Sequence, residues 1–489
     1  MRLRRFVAEM RSSYLFDLFK MYSATLGTRI INMLGSLVTA RILGPTNQGF
    51  SKSVELIQSY YPASSAGTTN GMSRNLAMAY GQKDEQKAKQ IINTTFVSLF
   101  SLPLLVTTVC LAFPLIGSLD TLTSLAFETA AVASFLSLAT NINTRILNAQ
   151  LKFGTYAKIG ILTSIAGTII SVVFVYLFSI EGRLWANVIS IVVGFAISMV
   201  YVRHKYRFEL NLGELRALLK IGFPIMVVGL TYALLLGIDR WIILLFLSLA
   251  DLGYYSIAIT FSQFISGITE ALSEITYQRL NRRYGETLDP RDLFAVAAPP
   301  SQLLSLVLPY LIGMLVIWLP LLVHIALPKF QPGVTAAQIY IFGTFIYGLS
   351  INVLNTISRQ KIYFALQVVM IVVNSLLGYV LVKHFGLIGV AIATSISFFV
   401  YSILLTLVSL RIMGKTLIEA VGFAAKLISP GMYSIAMIVL ITILTSEFWL
   451  GIGTLQVTLL QSFLFSVAYL PLGKPLVRSV KVFVAQKHE

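Results

Sequence analysis

The sequence predicts an all-α protein that crosses a membrane many times, and three observations lead to this fold class. Of the 489 residues, 56% are hydrophobic and only 12% are charged, whereas a soluble domain carries about 25% charged residues. Apolar runs of about 20 residues, the length that one membrane-spanning helix needs, recur along the chain. The basic residues fall in short clusters between these runs. A polytopic membrane protein satisfies all three observations.

We predict fourteen membrane-spanning helices. The first follows a basic start, Met1–Arg11, and is expected to be an uncleaved span because no cleavable signal is evident. The second is the least apolar, so most of its surface must face protein or water. The predicted spans are residues 15–42, 47–70, 91–117, 122–146, 157–180, 184–203, 221–247, 253–278, 300–323, 335–357, 363–382, 386–410, 428–446 and 453–472.

The basic residues predict the orientation, because cytoplasmic loops of membrane proteins are enriched in lysine and arginine. With the N-terminus in the cytoplasm, thirty of the 37 basic residues fall on the cytoplasmic side and five on the outer side. The sequence therefore predicts that both termini are cytoplasmic. The outer loops are short and leave no room for a folded catalytic domain, so we expect a protein that is not an enzyme.

Composition and spacing exclude several other kinds of site. A net charge of +17 suits a nucleic-acid-binding protein, but these bases lie in loops between spans, so no nucleic-acid partner is expected. Anionic lipids attract such loops. The single cysteine, Cys110, excludes a disulfide framework. The four histidines lack the spacing of metal ligands, and we predict neither a metal nor a cofactor.

The chain contains an internal repeat with an offset of about 205 residues. RILGPTNQGFSKS (41–53) parallels FLSLADLGYYSIA (246–258), and two glycine-containing hairpins, FSIEGRLWANVIS and KHFGLIGVAIATS, also correspond. Repeats of this kind place the substrate route between the halves of a transporter. We predict two six-span halves and two further spans, with domains at residues 1–220, 221–415 and 416–489.

Polar residues recur at helical spacing inside corresponding spans of the two halves. The stripe of the fourth span contains Ser134, Ser137, Asn141, Thr144 and Asn148, and that of the eighth contains Ser256, Thr260, Gln263, Gly267, Glu270 and Glu274. Residues three and four positions apart share one face of a helix, so these stripes predict a hydrated cavity. The alternative is hydrogen bonding between helices in a closed bundle. The candidate substrate-binding residues are Arg29, Asn32, Gln58, Arg240, Gln263, Asn352 and Asn355.

Charged residues inside spans are the sharpest functional signal. An uncompensated arginine at the position of Arg29 costs at least ~3 kcal/mol, and we interpret it as an anion contact, with a structural ion pair as the alternative. Asp239 and Arg240 are adjacent, so their side chains point about 100° apart on a helix. Each therefore needs another partner, such as Arg29 for Asp239 or a ligand for Arg240. A pair that reaches the membrane interface is the alternative.

Carboxylates inside spans are candidates for coupling transport to a proton or cation. Asp239, Glu55, Glu270 and Glu274 form this set. Glu55 and Glu270 lie on corresponding polar stripes of the second and eighth spans. Glu274 is near the predicted cytoplasmic end, where solvation or pairing with Arg279 explains it equally well.

Several segments resemble the multidrug/oligosaccharidyl-lipid/polysaccharide (MOP) exporter superfamily. They are ARILGPTNQG, NGMSRNLAMAYGQKDEQ, ILNAQLKFGTYAKIG and GFP…GIDRW…LADLGYYSIA. The last is similar to the polysaccharide-transporter branch, which contains the Wzx-type O-antigen and exopolysaccharide flippases. The resemblance implies two six-helix bundles around a central cavity, with Arg29, Asp239 and Arg240 as functional residues. Drug exporters of the superfamily usually have an acidic site in the first helix, where this chain has Arg29.

The function that the resemblance implies is transport of an undecaprenyl-pyrophosphate-linked oligosaccharide across the bacterial cytoplasmic (inner) membrane, for lipopolysaccharide, O-antigen or exopolysaccharide synthesis. Its partners would be the lipid-linked substrate, membrane lipids, a polysaccharide polymerase and glycosyltransferases. A cation-coupled multidrug or metabolite antiporter and a cell-wall lipid-precursor flippase of the same fold are the alternatives. A membrane-embedded polymerase or glycosyltransferase would favour a large external loop or a catalytic carboxylate motif, and the sequence contains neither.

Overall fold

The computed structural model describes residues 14–117, 119–202, 206–343, 350–445 and 453–485, and this part of the chain is α-helical without strands. Eight of its helical segments are long and apolar enough to cross a membrane. The prediction of an all-α polytopic membrane protein is confirmed at this level. The number of fourteen spans and the orientation of the termini stay predictions.

The chain divides into two compact units, Met1–Gly237 and Ile238–Glu489, and the predicted domain boundaries at residues 220 and 415 stay predictions. The helices that begin in the first unit are α1 (Tyr14–Gln58), α2 (Thr68–Gly81), α3 (Glu85–Ser98), α4 (Leu102–Ile116), α5 (Thr121–Ala149), α6 (Phe153–Val202) and α7 (Leu212–Phe246). Those of the second unit are α8 (Leu249–Thr287), α9 (Leu293–Ala326), α10 (Val334–Gly343), α11 (Ser350–Thr356), α12 (Gln360–Ile412), α13 (Leu417–Thr445), α14 (Thr454–Tyr469) and α15 (Gly473–Ala485). Short 3₁₀ turns lie at Tyr61–Ser65, Pro290–Asp292, Pro328–Gly333 and Leu470–Leu472.

Helix α6 is a helical hairpin. Its two legs meet at Ser179, whose backbone (φ 51°, ψ −126°) is not helical. Gly167 lies against Ser190, and Gly194, farther along the second leg, lies against Thr163, which is earlier in the first leg. A residue later in the second leg thus contacts a residue earlier in the first leg, which shows that the legs run antiparallel. The two legs carry the fifth and sixth predicted spans.

Helix α12 is built in the same way in the second unit. Its backbone breaks at Gly386 (φ 55°, ψ −132°). Gly389 lies against the carbonyl of Leu381, and Gly378 faces Ala393 on the other leg. These contacts again join two antiparallel legs, which carry the eleventh and twelfth predicted spans.

The turns of the two hairpins share their backbone geometry. Ser179 and Gly386 have nearly the same φ and ψ values, close to those of the first central residue of a type II′ turn. A glycine follows three residues later in both, and it approaches the carbonyl oxygen eight residues before it. A Cβ would lie 1.9 Å from that oxygen at Gly182 and 2.1 Å at Gly389. The predicted correspondence of these two hairpins thus extends to backbone conformation.

Helix α1 is also broken, at Gly44 (φ 72°, ψ 174°), directly before Pro45. Proline has no N–H to continue the helical hydrogen bonds of the preceding turn and favours the first turn of a new helix. The break separates a first leg, in which Gly35 packs against Thr168 of α6, from a polar second leg. The first leg carries the first predicted span, whereas the second leg ends at Gln58 and carries only the first part of the second predicted span, residues 47–70. The remainder of that span falls in the 3₁₀ turn Tyr61–Ser65 and the start of α2, so its prediction as one continuous helix is wrong.

Helices α2 and α7 approach each other closely within the first unit. A Cβ at Gly222 would lie 1.9 Å from the carbonyl oxygen of Gly67, and one at Gly71 would lie 2.2 Å from that of Leu218. Small residues permit this backbone contact, as in other membrane helix pairs. It adjoins a buried apolar cluster that includes Met72, Leu76, Ile91, Ile92, Leu138, Ile142, Ile146 and Leu218.

The chain before α7 is fixed to the same unit by polar contacts. Asn143 is fully buried; its amide donates to Ser198 Oγ at 2.8 Å, and its carbonyl accepts from the hydroxyl of Tyr206. The Tyr206 ring stacks on Phe96. Burial raises the pKa of Tyr206 above its ordinary value, so its hydroxyl remains a donor at neutral pH.

The second unit packs around α9. Gly313 of this helix leaves space for the ring of Phe465 from α14, which also stacks on Tyr310 at 5.8 Å between ring centroids. The C-terminal helices are therefore integral to this unit. A second apolar cluster contains Leu280, Leu293, Ala297, Val353, Leu410, Met413 and Ala420.

Candidate functional site

A polar bridge connects the second leg of α1 to the turn of α6 in the first unit. Glu55 accepts from Arg183 at 2.9 Å and from Lys52 at 2.6 Å. Arg183 also donates to Ser171 at 2.5 Å and to Ser51 at 3.3 Å. Glu55, a candidate coupling residue, is thus the acceptor of a double ion pair.

Gln58 extends this bridge by one helical turn. Its amide nitrogen donates to the carbonyl of Ala130 at 3.3 Å, and its amide oxygen accepts from Asn187 at 3.2 Å. The side chain therefore joins α1 to both α5 and α6. These contacts match the alternative of hydrogen bonding between helices, while the assigned role of Gln58 in substrate binding stays a prediction.

Arg29 and Asn32 lie on the first leg of α1, where Arg29 is half-buried and Asn32 is exposed. Arg29 therefore does not lie in the packed interior of its unit. Its assigned role as an anion contact stays a prediction.

A cavity of about 420 Å³ lies among α2, α5 and the start of α6. Its polar walls come from Ser73, Asn141, Thr144, Arg145, Asn148 and Tyr156. The predicted polar stripe of the fourth span contains three of them, namely Asn141, Thr144 and Asn148, so this end of the stripe lines a cavity.

In the second unit Asp239 is almost completely buried, at 1% exposure. Its Oδ1 accepts from the backbone N–H of Arg240 at 2.7 Å, and its Oδ2 accepts from the hydroxyl of Tyr255 at 2.9 Å. Helix α8 thus supplies the buried carboxylate with a tyrosine donor, and the alternative in which the Asp239–Arg240 pair reaches the membrane interface stays a prediction. Arg240 is half-buried, and its Nε atom has no hydrogen-bond partner among the described residues.

The stripe on α8 changes its environment along the helix. Ser256 is buried, Thr260 is half-buried, and Gln263 and Glu270 are exposed. Glu270 is thus not a carboxylate enclosed within its unit. The side chain of Glu274 lies outside the described part of the structure.

Of the two candidate asparagines near the end of the tenth predicted span, one has well-defined contacts. Asn352 is buried, and its amide donates to the backbone carbonyl of Ser273 at 2.7 Å and to the Ser273 hydroxyl at 2.6 Å. Asn355 is half-buried on the same helix, α11. The Asn352 contacts fasten α11 to α8, and the substrate role of both residues stays a prediction.

Sequence reasoning missed a buried polar group on α12. Asn374, Thr394 and Ser397 are at most 1% exposed, and side-chain polar atoms of each have no hydrogen-bond partner among the described residues. Most buried polar groups in proteins have a hydrogen-bond partner, so three buried polar side chains with unpartnered atoms on one helix of the described structure are unusual. They form a second polar region of the unit, besides Asp239. The signal was present as polar residues at helical spacing within apolar runs.

Two functional candidates, Arg145 and Arg183, were also missed, because both were counted as loop residues. Arg145 donates to the hydroxyl of Ser73 and to Asn70 Oδ1 at 3.4 Å. Arg183 pairs with Glu55. Both lie next to helix ends, where hydropathy gives no information on whether an arginine faces solvent or packed helices.

Comparisons with known proteins agree with this architecture. Residues 120–329 match the family model of a polysaccharide biosynthesis protein. A search of curated proteins finds no significant match to the sequence. A multidrug resistance transporter of the MOP superfamily in an inward-facing conformation has a similar structure, with a TM-score of 0.64 and 18% identity over 79% of this chain and 95% of the other. This protein has the MOP-exporter fold.

The MOP fold extends over nearly the whole chain. The lipid II flippase MurJ in an inward closed conformation matches with a TM-score of 0.68 and 17% identity, over 94% of this chain and 99% of the other. A MOP transporter from Pyrococcus furiosus, whose structure is described as having a binding pocket of reverse polarity, matches with a TM-score of 0.60 and 16% identity over 82% and 96%. The predicted resemblance to the MOP superfamily is confirmed at the level of the fold.

Proposed function

We propose that this protein is a flippase that moves an undecaprenyl-pyrophosphate-linked oligosaccharide across the cytoplasmic membrane by alternating access. The observation that carries the proposal is the match of residues 120–329 to a polysaccharide biosynthesis family within a chain of MOP-exporter fold. Transporters of this fold that export drugs and a flippase of a lipid-linked cell-wall precursor are both among the similar structures. The family match favours a glycan substrate.

The charged residues supply the chemistry that such a substrate needs. Arg29 in the first unit and Arg240 in the second are each assigned to phosphate binding, because a guanidinium donates two parallel hydrogen bonds to phosphate oxygens. The half-buried position of both residues supports this assignment. The exposed amides of Asn32 and Gln263 offer donors and acceptors for sugar hydroxyls. The lipid tail remains in the surrounding hydrocarbon.

Coupling to a proton or cation is assigned to Asp239. This carboxylate is 1% exposed and has two hydrogen-bond donors, and an ionised group buried in this way costs several kcal/mol unless it is compensated. Binding of a proton or cation at Asp239 therefore changes the stability of the conformation that buries it. Fourteen spans, cytoplasmic termini and an inner-membrane location complete the proposal, with a polymerase and glycosyltransferases of polysaccharide synthesis as partners.

The test is deletion of the gene followed by complementation. We expect the deletion strain to lose surface polysaccharide and to accumulate lipid-linked intermediates that remain on the cytoplasmic side. The wild-type protein should restore the polysaccharide, whereas Arg29→Ala and Arg240→Ala should not, although both variants reach the membrane. Arg41→Ala is the matched control, because Arg41 is exposed on the same helix as Arg29. Normal polysaccharide in the deletion strain would refute the function, and normal complementation by both variants would refute the site.

A multidrug antiporter is the second candidate, because structures of multidrug resistance transporters match 79% of the chain or more. It predicts lower efflux of cationic dyes after deletion and unchanged glycans. A cell-wall precursor flippase, the third candidate, predicts accumulation of the cell-wall intermediate and arrested growth. Analysis of the accumulated lipids therefore separates the three.

A further inference from the structure

The cavity beside Arg145 has the composition of an anion-binding site. Its volume is about 420 Å³, within the range of small-molecule pockets. The polar side chains that line it are neutral except for Arg145, and none of its lining residues is acidic. A ligand in this cavity therefore meets one fixed positive charge together with amide and hydroxyl groups.

Arg145 is held in place and keeps donors for a ligand. Its guanidinium has five N–H donors, of which Ser73 and Asn70 each accept one. Among the described residues no carboxylate pairs with it. An arginine that is oriented by neutral groups and lacks a counter-ion is suited to an oxyanion.

The surrounding groups extend this site beyond one charge. Asn141 and Asn148 are exposed on the face of α5 that lines the cavity, and Thr144 lies between them on that face. Tyr156 contributes from α6. Amides and hydroxyls of this kind donate to phosphate oxygens and also bind sugar hydroxyls. The combination fits a phosphate group with a sugar attached to it.

We propose that the Arg145 cavity, lined by Ser73, Asn141, Thr144, Asn148 and Tyr156, binds the phosphoryl group of the lipid-linked substrate as an entry site. This inference rests on the proposed function. Charge distribution predicts that this end of the first unit is cytoplasmic, which is the side where a lipid-linked precursor is made. The site uses residues other than Arg29 and Arg240. Because its predicted position is cytoplasmic, it would contact the substrate earlier in the transport cycle than they do.

The test uses the full-length protein in nanodiscs of phosphatidylcholine, with inorganic pyrophosphate and farnesyl pyrophosphate as probes. We expect saturable binding of both probes by the wild-type protein and a loss of affinity of about tenfold or more in Arg145→Gln. Arg74→Gln removes an exposed arginine next to Ser73 and should leave binding unchanged. Asn148→Asp places a negative charge on the exposed rim, three residues from Arg145 on the same helix, and should weaken binding of an anion by repulsion and by pairing with Arg145. This variant keeps the test valid if Arg145→Gln folds poorly.

Each outcome decides the inference. Affinity that falls in both cavity variants, but not in Arg74→Gln, supports the site. Absent binding, or equal binding in all variants, overturns it. A second arm replaces a third of the phosphatidylcholine with phosphatidylglycerol. If this lipid displaces the probes from the wild-type protein, the phosphate comes from membrane lipid and the substrate assignment is overturned. Loss of the proposed function would instead appear in cells as a deletion strain without accumulated intermediates, so the two failures are distinguishable.

Discussion

Exchanging the residues at the two hairpin turns should change stability in opposite directions. Ser179 and Gly386 occupy the same backbone conformation, with φ values of 51° and 55°, which a residue with a Cβ adopts at a cost of about 1–3 kcal/mol. Glycine pays about 0.5–1 kcal/mol more backbone entropy on folding. Ser179→Gly should therefore stabilise the protein by about 0.5–2 kcal/mol, and Gly386→Ser should destabilise it by a similar amount.

The assay is thermal unfolding of the purified full-length variants in detergent, followed by the fraction that remains monodisperse in size-exclusion chromatography. For a unit of this size, about 1 kcal/mol corresponds to about 2–4 °C in Tm. Ser190→Gly is the matched control, because Ser190 lies in the helical second leg of the same hairpin, where glycine destabilises. Shifts of the same sign for Ser179→Gly and Gly386→Ser, or a rise in Tm for Ser190→Gly, would contradict the argument from backbone strain.

Two further predictions concern buried or partly buried charges. Removing either partner of the Glu55–Arg183 pair should lower Tm. A double-mutant cycle with glutamine at both positions should give a coupling energy of about 0.2–1 kcal/mol, because the two side chains are 36% and 25% exposed. Additive effects of the two substitutions would contradict a direct pair. Tyr255→Phe should destabilise the protein by about 1–3 kcal/mol, because buried Asp239 loses one of its two hydrogen-bond donors. The control Tyr254→Phe should change Tm little, because the Tyr254 ring keeps its packing against an aromatic neighbour. Equal effects of the two tyrosine substitutions, measured in the same thermal assay, would be the contrary result.

The elements that could be predicted from sequence are those that depend on hydropathy and on local breaks. Apolar runs placed both legs of α6 and α12, and the gap between the predicted spans 15–42 and 47–70 contains the break in α1 at Gly44. Hydropathy depends on about 20 neighbouring residues at a time, so it locates a span well. It contains no information on which helix lies opposite a given side chain.

The parts of the site that could not be predicted depend on that missing information. The positive charge of Arg183 lies in a short turn, and counting it as an outer-loop residue was reasonable until the turn placed it beside Glu55. Arg145 was counted with the cytoplasmic loops in the same way, although its neighbours on α5 had already been recognised as a polar stripe. In both cases a partner more than 70 residues away in sequence defines the environment.

The two hairpins have different residues at the same strained position of the turn, and the turns are stabilised differently. In the second unit a glycine occupies the strained position of the turn, so the turn needs no further support. In the first unit a serine occupies it, and the strain is offset by Arg183, four residues later, which contacts Ser171 on the opposite leg and Glu55 on α1. The first turn is thus stabilised by an ionic contact with another helix. A change in the charge of Glu55 therefore acts directly on the turn that joins the two legs of α6.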